Sequence, residues 1–131
     1  MEIVNVIVAA AASYIFGAVW YMALAKPWME AAKIEVGDDG RPLNASNPVP
    51  YITAFVAAII VAGMMRHIFA LSGIDTVGKG PVSGFGIGAF LVVPWIATHY
   101  GFGGKPRKLL LIDGAYATIG CTIIGTVLNL F

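Results

Sequence analysis

The chain has 131 residues, of which 59% are hydrophobic and 11% charged, with a formal net charge of +1 and a mean hydropathy of +0.84. Soluble domains carry roughly 25% charged residues, so charge cannot cover this surface and a water-soluble globule is excluded; the near-neutral balance argues against a nucleic acid partner. A single cysteine, Cys121, excludes an internal disulfide and a cysteine-based metal site.

A run of about 20 apolar residues is long enough to cross a bilayer. The sequence offers four, at 3–25, 50–72, 81–102 and 109–130, and leaves one sizeable loop, 26–49. The expected fold is all-α: one polytopic membrane domain over residues 1–131, with four transmembrane helices in an antiparallel bundle and the lipid bilayer as its partner. The first span carries a small-x-small pattern at Ala23-Leu24-Ala25. It begins with Glu2 rather than a basic residue and is longer than a signal-peptide core, so it reads as a retained helix.

The first span ends on WYMALAKP, from Trp20 to Pro27, and the third on HYGFGGKP, from His99 to Pro106. Trp20, Tyr21, Trp28 and Tyr100 are expected as interface anchors, because their rings are apolar and their polar atoms can reach water. Lys-Pro then closes each span, since proline cannot continue the helical ladder. Two readings account for the repeated phrase. Membrane interfaces recruit these residue types anyway; alternatively, the chain is a degenerate parallel repeat of two hairpins about an axis along the membrane normal.

In loop 26–49, Pro27 suits the first turn of a helix and Gly37 suits its end. A short interfacial helix is predicted over 27–36, with Trp28, Met29 and Ile34 toward lipid. GDDGRPLNASNPVP is turn chemistry. Asn44-Ala45-Ser46 matches a glycosylation acceptor but falls on the cytoplasmic side of the predicted topology. That topology follows from the basic residues: Lys26, Lys33, Arg41, Lys105, Arg107 and Lys108 lie in the first and third connections, against Arg66 and Lys79 on the other side. The first and third connections therefore face the cytoplasm and both termini face outward, in a bacterial inner membrane on the family resemblance given below.

Each span carries small residues four apart: Ala9, Ser13 and Gly17; Ala54, Ala58 and Ala62; Gly80, Gly84 and Gly88; Ala117, Cys121 and Gly125. Such rows let helix backbones approach closely in lipid. They serve either an internal seam or, most plausibly at the third helix, an interface with another protein. Pro94 predicts a kink near 90–94.

Ionisable residues in or beside the spans are costly and so mark partners or sites. On the inner side, His99 and Asp113 fall at similar depth on adjacent helices, and a hydrogen bond between them is expected. It would be either a clasp for the last hairpin or a polar site. On the outer side stand Glu2, Asn5, Arg66, His67, Asp75 and Asn129, with Glu2 or Asp75 as candidate partners for Arg66. No cluster has metal-ligand spacing, GPVSGFGIG is no phosphate loop in a span, and Ser83 is not a nucleophile elbow. No catalysis, cofactor or metal is therefore expected.

GAVWYMALAKPWMEAA resembles the opening of a bacterial family of small four-helix membrane proteins, domain of unknown function 1761, through Gly17, Trp20, Tyr21, Trp28 and Met29. HYGFGGKPRKLLLIDGAYATIG resembles its last hairpin through Tyr100, Lys108, Leu109 and Tyr116. Met22-Ala23 and Asp113 depart from its pattern. The resemblance implies four spans and the bacterial cytoplasmic membrane, and it supplies no activity. Two functional classes follow from the residues: a non-catalytic structural or accessory protein, acting as a homo-oligomer or as a subunit of a larger membrane complex; and an oligomeric small-solute transporter using His99 and Asp113.

Overall fold

The computed structural model describes residues 2–131. The helices are α1 (Glu2–Ala23), α2 (Ala25–Ala32), α3 (Val49–Ser72), α4 (Lys79–Ile87), a π-helical turn (Gly88–Val92), α5 (Val93–Phe102) and α6 (Arg107–Leu128). α4, the π turn and α5 form one continuous rod, Lys79–Phe102. This rod, α1, α3 and α6 are each long and apolar enough to cross a membrane. The chain is an all-α, multi-pass bundle.

α1 lies between α3 and α6, and α6 packs on its other side against α4 and the π turn. The buried core is Ala9, Ala10, Ala62, Met65, Phe69, Cys121, Ile124 and Leu128. It therefore lies in the half of the bundle that holds both termini. The outward faces carry Ile15, Ile60, Val82, Phe90 and Leu111, all exposed, as lipid contact requires. Toward the 24–48 loop the helices separate: α3 and α5 do not pack on one another. The α1–α6 interface thus has no counterpart between α3 and the Lys79–Phe102 rod, so the two hairpins are not related by the two-fold axis that a parallel repeat predicts.

The glycine row of the third span packs against α6 inside the chain. A Cβ on Gly88 would lie 2.6 Å from the Cα of Thr118, and one on Gly84 would be driven into the backbone carbonyl of Cys121. Gly80 and Gly125 face each other in the same way. The glycine row of the third span is therefore an internal seam, the first of the two readings, and not a face left for another protein. On α6, the hydroxyls of Thr118, Thr122 and Thr126 donate to the carbonyls of Gly114, Thr118 and Thr122 at 2.9, 2.7 and 2.7 Å. No polar group is left unpaired along that face.

The expected kink takes the form of the π turn. Pro94 lacks an N–H, and its ring crowds the carbonyl of Phe90 one turn back. The chain relieves this by widening the preceding turn, where Val93 N–H bonds to Gly88 O, five residues back. One extra residue in a helix advances everything beyond it by about 100°.

α2 is shorter than predicted and starts earlier. The bonds Leu24 N–H to Trp20 O (3.0 Å) and Trp28 N–H to Leu24 O (2.9 Å) carry the ladder across from α1. The helix ends at Lys33, which adopts the left-handed conformation (φ 56°), rather than at Gly37. Trp28 does not point to lipid: its ring packs edge-on against Tyr21, with centroids 5.8 Å apart.

Candidate functional site

Asp113 lies near the start of α6, half-buried. Tyr21, near the end of α1, donates its hydroxyl to Asp113 Oδ1 at 2.5 Å, and Tyr100, near the end of α5, donates to Asp113 Oδ2. The tyrosines of the two repeated phrases therefore meet on one carboxylate. Trp20 turns inward as well, and its Nε1–H donates to Ile112 O at 3.1 Å. The polar atoms of Trp20, Tyr21 and Tyr100, expected at the headgroups, thus bond to acceptors on α6.

His99 does not join Asp113. It is exposed and stacks on Trp95 at a centroid distance of 6.1 Å. The physical reason is the π turn. His99 lies eleven residues after Gly88, close to three full turns of a regular helix at about 3.6 residues per turn, so regular counting puts it on the α6-facing side. The extra residue moves Tyr100 into that place, and Val92, Ile96 and Tyr100 face inward in register.

Around Asp113 the separated helices leave a groove of about 640 Å³. α1 and α6 form its floor, α3 and α5 flank it, and Trp28 of α2 covers the loop end. All five tyrosines of the chain, Tyr14, Tyr21, Tyr51, Tyr100 and Tyr116, line it. Gly17 is required here. The Tyr116 ring lies over it so closely that a Cβ would come within 2.7 Å of Cε1. Tyr116 in turn meets Tyr21 edge-on at 5.1 Å and stacks on Phe16 at 6.2 Å. Tyr14 packs edge-on against Phe55 at 5.3 Å, joining α1 to α3. Tyr14 and Tyr51 are not singled out by the sequence, and Tyr116 only through the family resemblance. Their signal was present, since Tyr14 and Tyr21 stand two turns apart on α1, and Asp113 and Tyr116 one turn apart on α6. A second cavity of about 540 Å³ lies beyond Tyr21 and Trp28, under the 40–45 loop.

The outer-side group is drawn together in part. Asn5 is buried, and its Nδ2 donates to Leu128 O (3.1 Å) and Phe131 O (3.2 Å). Arg66 Nη1 donates to Asn5 Oδ1 (3.2 Å) and Leu128 O (2.9 Å). A guanidinium at the negative end of α6 is favoured by the helix dipole. The expected pairing of Arg66 with Glu2 or Asp75 is not found. Asp75 faces Lys79 at 3.9 Å, the one ion pair among the described residues, because the carbonyls closing α6 lie nearer to Arg66. Glu2 and His67 border a shallow cleft beside Arg66, and Asn129 donates to Thr76 O at 2.7 Å. Among the described residues, no three His, Cys, Asp or Glu side chains group so as to hold a metal ion.

A family model described as "Protein of unknown function (DUF1761)" matches residues 4–129. No curated protein matches the chain. No solved structure matches it either.

Proposed function

The chain belongs to the DUF1761 family, whose function is unknown, and from its own geometry we propose that it is a non-catalytic carrier of a small hydrophobic solute, with the tyrosine-lined groove around Asp113 as its binding site. One observation carries this reading: five tyrosines and an in-span carboxylate, drawn from four elements, converge on a single open cavity. Cavities of roughly 300–1,000 Å³, mostly apolar with a few convergent polar groups, suit small molecules. Intramembrane ionisable residues mark solute pathways. The rings supply the apolar wall, and the hydroxyls of Tyr21 and Tyr100 fix the carboxylate in one orientation. α3 and α5 leave a side entrance from the bilayer. A bacterial cytoplasmic membrane, with both termini outside, is supported by the family resemblance and by the gathering of six of the eight basic residues at the 24–48 and 103–108 connections.

The test is uptake of a hydrophobic fluorescent solute into proteoliposomes, comparing wild type with Ala54→Trp, which fills the groove from α3. Uptake by wild type that is lost in the variant supports the reading. Equal uptake by both, or none by wild type at any member of a solute panel, overturns it.

A second reading, a structural or accessory subunit that assembles with copies of itself or with another membrane protein, is supported by the same opening, which a helix of a second chain could close. Native mass spectrometry in mild detergent separates the two. A stable assembly that dissociates on Ala54→Trp favours the subunit, and a monomer favours the carrier.

A further inference from the structure

The chemistry of the groove narrows its occupant. Both oxygens of Asp113 face tyrosine hydroxyls, Oδ1 that of Tyr21 and Oδ2 that of Tyr100, and an ionised carboxylate can accept from both. The pair Asp75–Lys79 is the one ion pair among the described residues, so no basic side chain lies within 4.0 Å of Asp113. A negative charge in an apolar, half-closed site is costly unless it is paired, and the side-chain hydrogen-bond partners of Asp113 among the described residues are the hydroxyls of Tyr21 and Tyr100. The surrounding walls include the aromatic side chains of Tyr14, Tyr51, Tyr116 and Trp28. An aromatic face attracts a cation within about 6 Å of its centre. A hard metal ion would need several further oxygen ligands, and among the described residues no three His, Cys, Asp or Glu side chains group so as to hold one.

We infer that the groove binds a hydrophobic organic cation, a quaternary or protonated amine or a phosphonium with an apolar body, whose charge pairs with Asp113 while its body packs among the tyrosine rings. This rests on the carrier reading and goes beyond it in fixing the sign of the charge. Entry from the bilayer side, between α3 and α5, suits a solute that partitions into lipid.

The test uses two ions of the same size and shape and opposite charge, tetraphenylphosphonium and tetraphenylborate, titrated against the purified full-length protein in neutral detergent. The expected result is binding of the phosphonium to wild type at least about tenfold more tightly than the borate, a difference of about 1.4 kcal/mol. Asp113→Asn should remove the preference. Tyr51 is 52% exposed at the rim, and its hydroxyl donates to Ala45 O at 3.0 Å. Tyr51→Leu should weaken phosphonium binding several-fold, whereas Tyr51→Phe, which keeps the ring, should not. Equal binding of the two ions to wild type overturns the cation assignment and leaves the hydrophobic groove standing. Binding of neither overturns both. Undiminished phosphonium binding by Asp113→Asn and Tyr51→Leu together places the ion elsewhere and overturns the assignment.

Discussion

Tyr21 and Asp113 are 92 residues apart in the chain, yet the Tyr21 hydroxyl donates to Asp113 Oδ1 at 2.5 Å, and Tyr100 occupies the other oxygen. Three helices are tied at one carboxylate. Hydrogen bonds to charged groups contribute about 1.5–3 kcal/mol each. Tyr21→Phe and Tyr100→Phe should each lower the unfolding temperature in detergent. Because the two hydroxyls share one acceptor group, their effects should not add. A double-mutant cycle followed by circular dichroism measures the coupling; strict additivity would mean that the two bonds act independently.

The seam between α4 and α6 gives a sharp contrast between neighbouring glycines. Gly84→Ala drives a methyl group into the Cys121 carbonyl, whereas a Cβ on Gly86 meets nothing within 4 Å. Overpacking of this kind costs about 1–3 kcal/mol. Gly86→Ala should be neutral or stabilise by up to about 1 kcal/mol, through the lowered entropy of the unfolded chain. Thermal unfolding of the two variants side by side checks the pair. Equal stability would show that the seam can relax.

Pro94→Ala restores the missing amide and removes the reason for the π turn. The rod beyond Gly88 should then rotate by about one residue, bringing His99 toward α6 and Tyr100 out. Cys121 is buried, so maleimide labelling of His99→Cys reports residue 99. Labelling should be fast in the Pro94 background and slow with Pro94→Ala. Unchanged rates would show that Gly88 holds the widened turn without the proline.

Arg66 joins α1, α3 and the last turn of α6 through Asn5 Oδ1 and Leu128 O. Arg66→Met should cost about 1.5–3 kcal/mol and speed hydrogen exchange in the final turn of α6. Arg66→Lys keeps the charge near the dipole but lacks the planar fork, so it should recover part of the loss. Exchange rates by mass spectrometry decide between them; identical rates in all three proteins would make the contact dispensable.

The four long helices are legible because lipid imposes one rule, a sustained apolar run, and Gly73 and Gly103-Gly104 mark two of the breaks between them. The glycine seam was legible as a row, but not in its direction, because spacing fixes a helix face without saying what it meets. His99 was misplaced by one residue. A π turn breaks the periodicity on which face assignment rests, and Pro94 announced a distortion without its size. Tyr21 and Tyr100 were visible as a repeated phrase and were read as headgroup anchors, since residue type alone does not distinguish a tyrosine that reaches water from one that reaches Asp113.

The main buried cluster, with Met65, Phe69, Ile124 and Leu128, lies in the half of the bundle that carries the termini; in the other half Leu109 and Ile112 of α6 are buried, but the two helices flanking the cavity do not pack on one another. That asymmetry makes the packed half a fulcrum. Any spreading of α3 from α5 at the loop end would hinge on the cluster around Met65 and Phe69, which lies outside the lining of the groove.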